Sequence, residues 1–104
     1  GDASDAVVHA NAEKFWLAVQ KNDAKAVVAA LAYPVRAQVR GRKTVLRNAK
    51  QALANYDAIF SAPFRAAILA ATPHNMSASA RGIMLGEHGE VWLNDKGQPV
   101  SLNN

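Results

Sequence analysis

The chain has 104 residues, 12 of them basic and 8 acidic, and half of them are hydrophobic. This length is typical of one domain, so we expect a single domain over residues 1–104. The sequence has no cysteine, which excludes disulfide bonds and thiolate metal sites, and no apolar run long enough for a membrane span.

The N-terminal third predicts two helices. Apolar side chains at positions 8, 12, 15 and 19 share one face of a helix from about residue 5 to residue 20 or 21. Asn22 is the expected cap of a second helix, which ends near residue 31 or 32 because Pro34 disfavours helical conformation in the residue before it. Residues 1–4 are either a mature end left by signal cleavage or a cloning remnant.

A strand with a basic outer face is predicted next. Residues 35–39 alternate apolar and polar side chains, residues 41–43 turn the chain, and residues 44–46 return as a short strand. A basic cluster here would bind an anion or an acidic partner, or would form a solvated edge that discourages aggregation, and we favour the solvated edge. No aromatic side chains interleave with it, so we expect no nucleic-acid ligand. The cluster is Arg36, Arg40, Arg42, Lys43, Arg47 and Lys50.

A long, kinked or broken helix is predicted from residue 49 to about residue 71. Asn48 is the expected N-cap, and Gln51 completes a capping-box pattern. Positions 49, 53, 56 and 60 form the apolar face. Residues 61–63, Ser-Ala-Pro, interrupt the pattern and begin a second helical segment.

The C-terminal third is expected to form a meander around one β-hairpin. Two apolar runs in residues 82–93 flank a three-residue loop at 87–89, with Gly89 in the left-handed conformation. This register creates one aliphatic face, which the helices must cover. A short strand within residues 76–80 and a last strand at 100–102 complete the meander. The aliphatic face consists of Ile83, Leu85, Val91 and Leu93.

The other face of the hairpin carries Met84 opposite Trp92. If helices cover the aliphatic face, this pair points outward, and a homodimer contact follows because such side chains are enriched at interface cores. If the sheet turns the other way, the pair lines a pocket. We favour the dimer.

Together these elements predict an α+β domain. The N-terminal helices and the long kinked helix pack on a curved antiparallel sheet. Helices and strands are largely segregated along the chain, which is typical of this class.

Several short motifs resemble the nuclear transport factor 2-like superfamily, which has a cystatin-like α+β fold. They are Phe15–Val19, the helix at 23–31, Tyr33-Pro34-Val35, Tyr56-Asp57-Ala58-Ile59-Phe60, Phe64–Ile68, Gly82–Gly86 and Glu90-Val91-Trp92. The resemblance is to small, mostly exported bacterial members, so it implies a periplasmic or secreted protein.

The resemblance also implies a pocket between the sheet and the long helix. Some relatives use that pocket as isomerases or dehydratases, many only bind ligands there, and many dimerise through the outer face of the sheet. The isomerase type needs an acid or base beside oxyanion donors. Tyr33, Tyr56 and Asp57 are the available groups, but they do not match that pattern residue by residue, so no catalytic residue is assigned.

The sequence contains no recognisable catalytic or metal motif. His9, His74 and His88 are widely separated, and no serine lies in a nucleophile elbow. We therefore assign no metal and no cofactor. Asp57 is either a general base or the partner of Arg65 or Arg81 at the edge of the core, and we favour the partner role.

Three hypotheses of function remain. The first is a non-enzymatic binding module with a small apolar pocket for a hydrophobic ligand, lined by Trp16, Tyr33, Tyr56 and Asp57. The second is a lyase or isomerase of small hydrophobic substrates, with Asp57 as base and a tyrosine as donor, so the enzymatic status stays open. The third is a protein-interaction module that acts as a homodimer through Met84 and Trp92.

Overall fold

The computed structural model describes residues 3–71, 77–79 and 82–104. The helices are α1 (Ala3–Lys21), α2 (Ala24–Ala29), α3 (Ala49–Ala54), α4 (Tyr56–Ile59) and α5 (Ala62–Ala70). The strands are β1 (Val35–Val39), β2 (Arg42–Leu46), β3 (Ser77–Ser79), β4 (Gly82–Leu85), β5 (Val91–Leu93) and β6 (Pro99–Asn103). The predicted α+β class is confirmed, and none of the described helices is long and apolar enough to span a membrane.

The described strands form one mixed sheet in the order β2-β1-β6-β5-β4-β3. We predicted an antiparallel sheet, and this is wrong at one pairing, where β1 runs parallel to β6 and Arg36 lies opposite Ser101. The other four pairings are antiparallel. Parallel strands require a long crossover, and the helices α3, α4 and α5 lie within the chain segment that connects β1 to β6.

The C-terminal hairpin has the predicted register. Met84 lies opposite Trp92, and the aliphatic residues pair beside them. Gly89 has a φ of 70°, which an L side chain rarely adopts. Leu85, Val91 and Leu93 are at most 2% exposed and Ile83 is partly buried against the same core, so the aliphatic face packs inward, as predicted.

The junction of α1 and α2 differs from the prediction. Asp23, not Asn22, caps α2, because its Oδ1 accepts a hydrogen bond from the Ala26 N–H at 3.2 Å. Asn22 instead ends α1 with a φ of 50°, a conformation that asparagine tolerates better than most residues. The second helix also ends earlier than predicted, at Ala29.

The predicted long helix is three separate helices. Asn48 caps α3 through Oδ1 and the Gln51 N–H at 2.9 Å, as predicted. Asn55, with a φ of −111°, separates α3 from α4. The buried sides of the two helices therefore do not form one continuous face. Leu53 was predicted on the apolar face but is 40% exposed, and Ala52 is buried in its place.

The hairpin of β1 and β2 turns one residue earlier than predicted. The loop consists of Arg40 and Gly41, with φ values of 53° and 80°. Two consecutive residues with positive φ are the geometry of a type I′ turn, which suits the twist of a two-residue hairpin. β2 therefore begins at Arg42 rather than at Thr44.

The buried side chains form one hydrophobic cluster between the helices and the sheet. At its centre the ring of Phe60 packs against three other rings. The centroid distances from Phe60 are 5.2 Å to Tyr56, 5.9 Å to Phe64 and 6.3 Å to Phe15. Aromatic rings thus occupy the centre of the core beneath α4 and α5.

Candidate functional site

The three aromatic residues predicted to line a pocket all donate hydrogen bonds within the fold. The Trp16 Nε1–H points to the end of α5, where the Ala71 oxygen lies at 2.8 Å and the Ile68 oxygen at 3.2 Å. Carbonyls at a helix C-terminus lack partners within the helix, so this contact joins α1 to α5.

The two tyrosine hydroxyls make similar contacts. Tyr33 donates to the Val28 oxygen at 2.6 Å, and Tyr56 donates to Asn22 Oδ1 at 2.5 Å. Burial raises the pKa of both phenols. Both side chains therefore stay neutral donors, and both hydroxyls already have a partner within the fold.

The position of Tyr56 among charged groups has a further effect on its titration. Burial is the main cause of its raised pKa, the Arg65 guanidinium opposes the shift, and the carboxylates of Asp57 and Asp23 add to it. The Asp57 side chain is exposed. Arg65, one of its two expected partners, donates from Nη1 to the Phe60 oxygen at 2.8 Å, and the other, Arg81, lies outside the described residues.

Surface cavities formed by the described residues include a small one beside α5 and a larger one on the outer face of the sheet. We call the larger one the outer groove; its volume is about 600 Å³, within the range of small-molecule sites. Neither cavity is lined by any of the four residues predicted to bind a ligand. The outer groove is lined by Arg36, Gln38, Lys43, Val45, Trp92, Val100 and Ser101, among others.

Strand register explains why a groove forms there. One row of residues crosses five strands of the sheet on this face. We call it the outer row, and in spatial order it is Val45, Arg36, Ser101, Trp92 and Met84. The smallest side chain lies between the two largest, which leaves a depression over β6. Adjacent strands are about 4.8 Å apart, so about 10 Å separates the backbones of the flanking residues.

The indole of Trp92 forms one wall of the groove and is fixed by its neighbours. A Cβ added to Gly89 would lie 3.3 Å from Trp92 Nε1 and 3.8 Å from Met84 Sδ, so the hairpin turn packs directly on this pair. The pairing of β5 with β6 shifts register between Trp92 and Leu93. Val100 is the unpaired residue at this bulge, and bulges commonly redirect side chains beside binding sites.

The other wall of the groove is cationic. Arg36 and Lys43 line it, and both are exposed. Residues 24–56 contain seven basic and no acidic residues, so no carboxylate from this part of the chain neutralises the wall. A groove with an indole on one side and cations on the other can hold an apolar group and an anionic group at the same time.

The second cavity is smaller, about 230 Å³, and lies between α5 and the tip of the C-terminal hairpin. Glu90 there accepts a hydrogen bond from the His88 N–H at 2.6 Å, and His88 Nδ1 lies 3.7 Å from Glu90 Oε2. In the described part of the chain, no three histidine or carboxylate side chains are grouped to hold a metal ion.

Sequence reasoning placed Met84 and Trp92 on one face but did not find the rest of the groove. Val45 and Ser101 looked like ordinary strand residues, because alternation assigns a side chain to a face and does not identify its neighbours. The only feature of the sequence that pointed to the groove was the predicted outward position of Arg36 in a basic strand. The parallel pairing of β1 with β6 is what brings these residues together.

The chain matches no family model, no curated protein and no solved structure in comparisons with known proteins.

Proposed function

We propose that this protein is a non-enzymatic binding module and that the outer groove is its binding site. The ligand carries an apolar part, which packs on Trp92, and an anionic group, which Arg36 and Lys43 bind. The outer row is the observation that carries this proposal, since it places an apolar wall and a cationic wall on either side of one depression.

The chemistry of the walls supports this choice of ligand. The planar guanidinium of Arg36 can donate two hydrogen bonds to one carboxylate or phosphate, and Lys43 adds a second positive charge. The indole of Trp92 offers a large rigid surface to an alkyl or aromatic group. Both walls are at least partly accessible to solvent, so a ligand can enter without rearrangement of the core.

The enzymatic hypothesis has less support from the geometry. A lyase or isomerase would use Asp57 as base and a tyrosine as donor in one enclosed site. The Asp57 side chain faces solvent, and the hydroxyl of Tyr56 already donates to Asn22. Unchanged ligand binding and turnover in Asp57→Asn would remove this hypothesis altogether.

We also propose membership of the nuclear transport factor 2-like superfamily, with export as its corollary. The order of elements supports it, since two helices, a hairpin and a series of helical segments precede the C-terminal strands. Sequencing of the precursor tests the export proposal, because an N-terminal signal peptide is the expected finding.

A homodimer through the outer face is the second candidate function. The placement of Met84 and Trp92 on the outer face favours it, because such side chains are typical of interface cores. A two-fold interface on this face would also bury Arg36 and Lys43 of both copies, which costs energy unless acidic groups compensate. The charge of the groove therefore favours an anionic ligand over a second copy.

Octanoate is a suitable probe, because it combines an alkyl chain with a carboxylate. The chain has two tryptophans, so an NMR spectrum shows two indole N–H signals, which Trp92→Phe assigns. We expect octanoate to shift the Trp92 signal and to leave the Trp16 signal unchanged, since the Trp16 indole N–H donates to main-chain oxygens at the end of α5.

Matched controls test each wall. Octylammonium, with the same chain and the opposite charge, should not bind, and Arg36→Gln should weaken octanoate binding about tenfold. A shift of the Trp16 signal alone would move the site to the helical side and overturn the proposal. Light scattering that finds a dimer which octanoate does not dissociate would favour the homodimer instead.

A further inference from the structure

We propose that the natural ligand of the outer groove is an acidic, extended polypeptide segment, which adds to the free edge of β2 as an additional strand. This inference rests on the proposed function, because the side chains of the added strand would lie against Lys43 and Val45, which line the cationic side of the same groove. Strand addition of this kind obtains its affinity from main-chain hydrogen bonds and its specificity from alternate side chains.

β2 is the terminal strand of the described sheet. It pairs with β1, and no other described strand pairs with it. Residues 42–45 are exposed, so the main chain along the outer side of this strand is accessible. An accessible edge of this kind presents N–H and C=O groups to an incoming strand.

The hairpin register shows which main-chain groups face that edge. In a hairpin with a two-residue loop, the pair next to the loop is hydrogen-bonded, and hydrogen-bonded and non-hydrogen-bonded pairs then alternate. Arg42 and Thr44 therefore bond to β1, whereas the N–H and C=O of Lys43 and Val45 point to the free edge.

The same two residues also line the outer groove with their side chains. A strand bonded to the main chain of Lys43 and Val45 would lie beside their side chains. Alternate side chains of that strand would extend over the outer face toward Arg36. The edge and the groove thus form one continuous surface.

Charge selects the partner for this edge. Arg40, Arg42 and Lys43 lie at or beside the turn, and Arg47 follows the strand. A second copy of β2 would bring the same cations together and would be repelled, whereas an acidic segment would be attracted.

Arg40 places a further cation beside the β2 edge from an unfavourable backbone conformation. Its φ of 53° is unfavourable for arginine, and asparagine or glycine is the usual residue at this position of a type I′ turn.

Amide hydrogen exchange tests strand addition at single residues. The probe is a short capped peptide that alternates glutamate with valine, and two controls replace glutamate with lysine or methylate every central amide nitrogen. We expect the glutamate peptide to slow exchange about tenfold or more at Lys43 and Val45, and to leave Thr44, which already bonds to β1, unchanged. Neither control peptide should do so.

The outcomes separate this inference from the proposed function. If octanoate leaves the Trp92 indole signal unchanged, the proposed function fails and the inference, which rests on it, fails with it. If octanoate shifts that signal but the glutamate peptide does not slow exchange at Lys43 and Val45, only strand addition is overturned. Equal binding of the N-methylated peptide would also overturn it, because that peptide keeps the charges and lacks the amide hydrogens.

Discussion

Arg36 of β1 and Trp92 of β5 both lie opposite Ser101 of β6, so a hydroxymethyl group separates a guanidinium from an indole on the outer face of the sheet. The depression between them depends on the small size of the serine. The two walls have different chemistry, and a ligand must satisfy both in order to fill the groove.

Substitution of Ser101 tests the depression directly. In Ser101→Leu the longer side chain fills the space between Arg36 and Trp92, and we expect octanoate binding to weaken by at least about tenfold. Ser101→Ala keeps the depression and should bind as the native protein does. The readout is the shift of the Trp92 indole signal, and native affinity in Ser101→Leu would show that the ligand binds elsewhere.

The helix α1 packs closely on Gly97 in the turn before β6, so we expect a side chain at this position to destabilise the fold strongly. A Cβ there would lie 2.2 Å from the Val8 oxygen, and the φ of 82° disfavours any side chain. We expect Gly97→Ala to lower the free energy of unfolding by about 3 kcal/mol or more.

Gly41→Ala is the matched control for this substitution. Gly41 has a similar φ of 80°, and an added Cβ would meet no atom within 4 Å. Only the backbone strain remains, so the expected loss is about 1–2 kcal/mol. Urea unfolding followed by circular dichroism measures both, and equal losses would contradict the close contact with Val8.

Arg40 should be a position where stability increases on substitution. Arg40→Asn gives the Asn-Gly sequence that type I′ turns favour, and we expect the free energy of unfolding to rise by up to about 1 kcal/mol. The same variant should bind the glutamate peptide more weakly, because a cation is lost beside the β2 edge. A fall in stability would mean that the turn is not strained at Arg40.

The raised pKa values of the two tyrosines predict a loss of stability at alkaline pH. Burial raises the pKa of Tyr56 and Tyr33 in the folded chain, so above the ordinary tyrosine pKa of 10.0 the unfolded state binds fewer protons than the folded state. The free energy of unfolding should therefore fall as the pH rises through 10 and above.

Tyr56→Phe isolates one of these contributions. At neutral pH we expect a loss of about 0.5–1.5 kcal/mol, because the hydrogen bond to Asn22 is removed. Above pH 10 the variant should lose less stability per pH unit than the native protein, and Tyr33→Phe should behave in the same way. An unchanged pH dependence in both variants would show that neither phenol titrates differently in the folded state.

Local patterns in the sequence predicted local structure well. The hairpin of β4 and β5 has the expected register, because burial of charge at Glu87 and Glu90 excludes the alternative loop. The cap of α3 at Asn48 was also predictable, since a capping side chain and its backbone partner are three residues apart.

Relationships between distant parts of the chain were not predictable in the same way. Leu53 fits a helical face, but the break at Asn55 changes which side of α3 is buried. Nothing near Arg36 in the sequence indicates that Ser101 lies opposite it. The aromatic residues expected to line a pocket were identified by type, and type does not show whether a polar group already has a partner within the fold.

A crystal structure with octanoate tests the central claim most directly. We expect the alkyl chain to lie over Ser101 against the Trp92 indole, and the carboxylate to lie within hydrogen-bonding distance of the Arg36 guanidinium. Octanoate bound instead among Trp16, Tyr33 and Tyr56, on the helical side of the sheet, would contradict the assignment of the outer groove as the binding site.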